Sequence, residues 1–396
     1  MTAEPAAAAC DTVAKQRVLF VHARYQQRGG EDVVVDAEMQ LLRAHGHAVE
    51  LYSRSNHDID EIGPLRAGAQ TLWSRRTTDD LGRMIHRFRP DVVHLHNTFP
   101  LISPSAYWIA GQAGVPTVQT LHNFRLLCPQ ATLLRNASVC EDCVGKAPWR
   151  GVVRRCYRGS AAQSAVLATM LYTHRLLGTW RHKVDRYVAI SEFSRRKHIE
   201  GGLPADRVIV VPNFADVPGS EASAERSQDY LFVGRLSVEK GIAVLAEAFR
   251  RRPGSRLRVV GDGPAKTLLS GLPNVRLLGR LGQEAVYAEM RAAKALVVPS
   301  ICHEAFGMVV IEAYGCGLPV IGTSMGGLPE LIDEGRTGLL IEAGDPDALL
   351  AAIARFDDGD AGLLRAMGRR ARLRYESDYS PRAAYLRRAG LYSLRR

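Results

Sequence analysis

Short apolar runs alternating with longer amphipathic stretches constrain the fold of this chain more than any other feature of its sequence. Arg17–His22 (RVLFVH), Ala48–Tyr52, Asp91–His96 (DVVHLH), Pro116–Leu121, Asp185–Ile190 (DRYVAI) and Val208–Asn213 (VIVVPN) read as strands. Between them, helical patterns run from Glu31 to about His45, near Leu65–Arg89, near Ser103–Ala113 and over Ser160–Lys183. The alternation restarts at Tyr230–Gly234 and continues through Arg256–Gly261, Asn274–Gly279, Ala295–Pro299, Leu318–Ile321 and Gly338–Ile341. Helices are expected near Glu284–Ala292, from Met308 and from Asp345. Strands alternating with helices predict parallel, doubly wound sheets, and two series of them predict two α/β domains. A chain of 396 residues is long enough to give each its own core.

Residues 1–16 read as a disordered leader, since they carry neither a basic start nor a long apolar run. The first domain is expected over 17–213 and the second over 228–375. The polar stretch 214–227 (FADVPGSEASAERS) is expected to link them, and 376–396 to form a closing basic helix. Hydrophobic content of 46% with 23% charged residues is ordinary for a globular protein. No run approaches 18 apolar residues, so no spanning helix is expected. A cytoplasmic location follows, with contact at the inner face of the membrane left open. The formal net charge of +11 favours anionic partners, and ten arginines lie between Arg365 and Arg396. No nucleic-acid reading module accompanies them, so nucleic acid is not expected. An anionic membrane surface and a merely solvated basic face both remain open.

The densest chemistry lies in His303–Tyr314, H-E-A-F-G-M-V-V-I-E-A-Y. Ala295–Pro299 reads as a strand, Ser300–Gly307 as a loop and Met308–Gly315 as the start of a helix. Backbone N–H groups around Phe306, Gly307, Met308 and Val309 would then emerge at a helix N-terminus, where an anionic phosphate is a natural guest. Glu304 on the loop could reach sugar hydroxyls, and Glu312 on the helix could accept from a ribose diol. Taken as a bare pair, two glutamates at this spacing are common by chance and usually mark a solvated face. Arg235 and Lys240, in G-R-L-S-V-E-K-G, straddle another strand-to-helix turn and could jointly neutralise a diphosphate. Tyr25-Gln-Gln-Arg-Gly-Gly-Glu31 places Gly29 and Gly30 between a strand and a helix, a layout suited to phosphate or to a plain tight turn. His94, His96, Asn97, His122 and Asn123 all fall at strand ends, where ligands collect in doubly wound sheets. A satisfied core histidine is the commoner fate of residues such as His94 and His96.

The segment E-A-F-G-M-V-V-I-E resembles the hallmark E-x-F-G-[LM]-x-x-x-E of the retaining family 4 glycosyltransferases, which have the GT-B fold. The resemblance extends over most of the chain, through G-R-x4-K-G, G-D-G-P (Gly261–Pro264) and G-G-L-P-E (Gly326–Glu330). It implies two Rossmann-like domains facing across a cleft, with a C-terminal helix crossing back to the first. It also implies a sugar transferred from a nucleoside-diphosphate sugar to a hydroxyl acceptor (a glycan, a lipid-linked glycan or a small molecule), without a divalent ion in the chemistry. In that scheme Arg235 and Lys240 hold the leaving diphosphate, Gly29 and Gly30 face it, and Glu312 holds the ribose. Glu304 orients the sugar and His122, in T-L-H-N, stands beside it. Arg280-Leu281 would border the base. A sugar-nucleotide 2-epimerase on the same fold and a non-catalytic basic, zinc-bearing scaffold are the alternatives. Cys128, Cys140, Cys143 and Cys156, spaced C-x11-C-x2-C-x12-C, depart from the general family pattern. They admit a structural zinc, unligated thiols or a redox pair.

Overall fold

A computed structural model describes residues 14–26, 29–219, 226–388 and 390–392. Most of the expected leader, the middle of the 214–227 linker and the last four residues lie outside that set. The chain forms two compact units. The first comprises the described residues up to Ala131, Glu141–Pro212 and those from Ala384 on. The second comprises Thr132–Cys140 and Asn213–Ala383.

The first unit is built on β1 (Arg17–Arg24), β2 (Ala48–Ser55), β3 (Val92–Leu95) and β4 (Thr117–Leu121), with β7 (Arg186–Ala189) and β8 (Val208–Val210). Their order is β2-β1-β3-β4-β7-β8, every pairing parallel. β3 and β4 are buried along their whole length, as strands covered by helices on both faces must be. Leu19, Val21, Val93, Leu95 and Leu121 meet Leu81 and Ile85 of helix Arg75–Phe88 and Leu167 and Leu171 of helix Ala161–Leu176. The expected helix near Leu65–Arg89 is in fact several. Gly63 adopts φ 76° ahead of helix Pro64–Leu72, and Ser74 caps Arg75–Phe88 by accepting the Thr77 N–H at 3.2 Å. Between β4 and β7 a two-residue hairpin, β5 (Leu134–Arg135) with β6 (Ser138–Val139), interrupts the cysteine-rich segment.

The second unit carries β9 (Asp229–Val233), β10 (Arg256–Val260), β11 (Val275–Gly279), β12 (Leu296–Val298), β13 (Val320–Thr323) and β14 (Gly338–Ile341). The order is β11-β10-β9-β12-β13-β14, again all parallel. Tyr230, Val259, Val297 and Ile321 from four strands pack with Leu245 and Phe249 and with Ile353 and Phe356 of two covering helices. In both sheets the chain winds outward from the middle in two directions. The reversal falls between β1 and β3 in one and between β9 and β12 in the other, and ligands bind beyond the carboxyl ends of strands at such a reversal. The expected closing helix over 376–396 is broken. Tyr375–Tyr379 forms a wide turn, Ser380 turns extended, and helix Pro381–Arg388 starts at the proline, whose ring cannot continue the preceding helix.

Candidate functional site

In the second unit, the loops leaving β9 and β12 flank the sheet's reversal, and they carry the charged residues singled out in the sequence. The β9 loop presents Arg235 and ends in a short turn, Val238–Lys240. Gly241, at φ 69°, then starts helix Ile242–Arg251. A Cβ on Gly241 would sit 1.8 Å from the Pro299 carbonyl oxygen, so only glycine lets the two loops approach. The Ile301 N–H donates to the Glu239 carbonyl at 3.0 Å and fastens one loop to the other. Across that junction Lys240 Nζ donates to Glu304 Oε1 at 2.5 Å, and Ser300 Oγ donates to the same oxygen at 2.6 Å. Burial would raise the Glu304 carboxyl, but the ammonium and the hydroxyl outweigh it and hold its pKa below the usual carboxylate range. Burial likewise opposes the charge on Lys240, and Glu304 overcomes it, raising its pKa.

Glu304 is therefore held as an ion by its own unit. The Gly326-Gly327 turn fixes it from the other side: Gly327 N–H donates to the Glu304 carbonyl at 2.7 Å, and Gly326 adopts φ 63°. Helix Met308–Gly315 begins where the sequence placed it, after Gly307 at φ 124°. Phe306 is buried edge-to-face against Tyr379, with ring centroids 6.1 Å apart. The N–H groups of Met308 and Val309 have no intrahelical acceptor, whereas Val310 N–H already donates to the Gly307 carbonyl at 3.0 Å. Glu312 lies one turn along, half-buried, and among the described residues no hydrogen bond or ion pair engages its carboxylate. Burial alone pushes its pKa up to about 7. Arg235 is exposed, also without a carboxylate among the described residues. One unit thus offers an unpaired guanidinium, an ammonium held beside a carboxylate, open amides and an unengaged carboxyl.

In the first unit, the strand ends of β1, β3 and β4 carry stacked imidazoles. His122 Nε2 lies 2.8 Å from His96 Nδ1, and the two rings stack at 5.1 Å. His96 in turn packs on His94 at 4.2 Å. His94 Nε2 is 2.8 Å from Thr120 Oγ1, and its Nδ1 is 3.0 Å from the Tyr392 hydroxyl. Burial lowers the pKa of all three rings, that of His94 to about 4, so the stack is neutral at physiological pH. His94 and His96 are thus the satisfied or stacked core histidines that their position first suggested, and His122 is the half-buried member. His122 lines a pocket with Asn97, Phe99, Asn123, Arg125 and Trp180. Asn123 is oriented by Glu31, which also accepts from Tyr25 at 2.8 Å. The Gly29-Gly30 turn is itself capped by an acid: Gly29 N–H donates to Asp32 Oδ2 at 2.8 Å, while Asp32 Oδ1 binds His22 at 2.8 Å.

Several of these partners escape sequence reading. Ser300 and Asp32 are common residue types with no motif of their own. The Pro-Ser just before the loop and the acid three residues after Gly29 were the only local signals, the latter a helix-start pattern. The four cysteines are half-buried, Cys128, Cys143 and Cys156 in the first unit and Cys140 in the second. Among the described residues the metal-ligating atoms that gather within 4.8 Å of one another belong to Glu38, His94 and His96 instead. Glu38 is already spoken for by Arg388 Nε at 3.3 Å and by the Tyr392 hydroxyl at 2.9 Å, which is a poor setting for a cation. Among the aspartates of Asp-x-Asp triplets, Asp58 pairs with Arg54, and Asp345 and Asp360 cap helices.

Residues 28–217 match the model of Glycosyltransferase Family 4, and residues 227–357 that of Glycosyl transferases group 1. The D-inositol 3-phosphate glycosyltransferase of Corynebacterium glutamicum is 35% identical, with 85% of each chain covered. That of Corynebacterium jeikeium is 37% identical, with 83% of each covered. The chain belongs to the family 4 glycosyltransferases. Its fold is GT-B, as in sucrose-phosphate synthase from Thermosynechococcus elongatus (TM-score 0.70, 21% identity, 96% of this chain and 98% of that one). Anabaena HepE in complex with UDP and glucose is similar too (TM-score 0.64, 19% identity, 96% and 100%).

Proposed function

We propose that this glycosyltransferase moves a sugar from a nucleoside-diphosphate sugar to a hydroxyl acceptor with retention of the anomeric configuration. The observation that carries the donor assignment is the charge arrangement at the reversal of the second sheet. Arg235 stands unpaired, Lys240 is fixed by Glu304, and the amides of Met308 and Val309 open the helix that bears Glu312. When the bond between the anomeric carbon and phosphate breaks, the diphosphate takes the electron pair. Cations and amides already in place stabilise that charge without reorganising. Glu312 is free to accept from a ribose diol. Glu304, already neutralised by Lys240, retains one oxygen for sugar hydroxyls. His122 and the Gly29-Gly30 turn are the first unit's candidates for contact with sugar and diphosphate.

Thermal-shift measurements with UDP, GDP and ADP test the donor reading: one nucleotide should stabilise the wild type, and Arg235→Ala should sharply reduce the response at the same nucleotide concentration. An unaltered response in that variant would overturn the assignment. Hydrolysis of a panel of nucleotide sugars then identifies the sugar, and proton NMR of the transferred product reads the anomer. An inositol phosphate is the first acceptor to try, because the named relatives act on one. Full turnover in EDTA is the expected result for chemistry carried by Arg235 and Lys240.

A further inference from the structure

The first unit exposes an apolar face that neither its core nor the candidate site uses. Helix Ala161–Leu176 buries Leu167, Met170 and Leu171, while Tyr172 and Leu176 stand outward, the latter 71% exposed, and Leu177 follows. The short helix Arg150–Val153 packs beside it in the opposite direction. Arg175 Nη1 reaches the Lys146 carbonyl at 2.5 Å before that helix, and Tyr157 N–H donates to Ser164 Oγ at 3.0 Å after it. The short helix turns Gly151 inward against Pro129 and leaves Trp149 (59% exposed) and Val153 (71%) outside. Trp149 and Val153 therefore lie alongside Tyr172 and Leu176 on one surface.

The segment that builds this surface carries charge of one sign. Between Asp142 and Asp185 the chain has no acidic residue and eight Lys and Arg. Arg150 and Arg154 turn back toward Asp142. Lys146, Arg155 and Arg158 are exposed; Lys146 helps hold the Asp142 carboxyl below its usual range, and among the described residues no carboxylate forms an ion pair with Arg155 or Arg158. A protein partner for apolar tips ringed by unpaired cations would have to bring its own acids. A bilayer with anionic headgroups supplies both halves at once, an acyl boundary for Trp, Tyr and Leu and a negative surface for the rim. No helix among the described residues is long and apolar enough to cross a membrane, so any contact here is made from the surface.

We propose that Trp149, Val153, Tyr172 and Leu176, rimmed by Lys146, Arg155 and Arg158, dock this glycosyltransferase on an anionic lipid surface. This rests on the exposed face and its charge alone and stands apart from the donor assignment. Flotation of the full chain is measured with phosphatidylcholine vesicles and with vesicles part-replaced by phosphatidylglycerol. The chain should partition at least about tenfold better onto the anionic vesicles and come off in high salt. The variant W149A/Y172A/L176A, changed only at exposed positions, should lose about tenfold in partition with an unchanged melting temperature. Lys146→Glu with Arg155→Glu should erase the preference for phosphatidylglycerol. The proposal fails if the wild type floats with neither vesicle or if the triple variant floats as well as the wild type. It fails equally if light scattering shows a dimer that the triple variant breaks, since a second copy would then cover the face.

Discussion

Glu304 and Glu312 are the same side chain eight positions apart, and their surroundings drive them in opposite directions. Lys240 and Ser300 keep Glu304 ionised despite burial, whereas Glu312 meets burial and no partner, and its pKa rises from the ordinary 4.5 to about 7. A carboxyl that keeps its proton longer folded than unfolded costs stability as pH climbs from about 4.5 to about 7 and adds no further slope above that. Glu312→Gln should remove that slope from the melting temperature measured across this range. Ribose hydroxyls donate best to the ionised form, so affinity for the nucleotide sugar should rise with pH around 7 in the wild type and stay flat in Glu312→Gln. Calorimetric titration at several pH values checks it. Arg235 and Lys240 should separate in the same way. Arg235→Ala, at an exposed unpaired side chain, should weaken nucleotide binding roughly 10–100-fold at constant melting temperature. Lys240→Ala strips Glu304 of its counter-ion and should also cost about 1–3 kcal/mol of stability by denaturant titration.

At the scale of elements, the G-G-L-P-E turn acts on the site through its backbone. A Cβ on Gly326 would come 2.3 Å from the Glu304 carbonyl oxygen at a backbone φ of 63°. Gly326→Ala must displace the loop that holds Glu304 and should cut turnover well over tenfold with a stability loss of about 1–3 kcal/mol. Turnover falling while stability stays at the wild-type value would point to a role for this glycine other than loop placement. Such turns are legible as motifs because only glycine fits them, and the apolar runs are legible because a strand covered on both faces has no polar side to show. The start of helix Met308–Gly315 is legible for the first of these reasons, since Gly307 marks its entry. Contacts between distant segments left no trace. Lys240 and Glu304 are 64 residues apart, and their pairing depends on β9 and β12 being neighbours, which no local pattern encodes. Helix Ala361–Arg374 leaves little periodic signal in the sequence, because its arginines are scattered around a helix that buries Met367, Gly368 and Ala371.

At the scale of the molecule, the chain's end belongs to its beginning. Helix Pro381–Arg388 starts in the second unit, and the residues from Ala384 on belong to the first, where Tyr385, Arg388 and Tyr392 are buried. Composition suggested only a basic tail, and Arg388 shows why that was too coarse. It and Glu38 are both almost fully buried, with Nε 3.3 Å from Oε1, and Tyr392 donates to the same carboxylate. Burial would raise the Glu38 pKa, and Arg388 with the neighbouring groups brings it below the usual range. Two buried charges in contact add little net stability, but one left alone is expensive. Arg388→Met should therefore lower stability by about 3–5 kcal/mol, and Glu38→Gln together with Arg388→Met should recover most of it, because no bare charge remains. Guanidinium unfolding of the single and double variants measures the difference. A double variant as unstable as Arg388→Met would mean that the tail is held by packing of Tyr385 and Tyr392 and that the ion pair contributes nothing. Because Glu38 sits beneath His94, and His94 beneath His96 and His122, recovery of stability with a lasting loss of turnover would show that the returning tail also sets the imidazole stack.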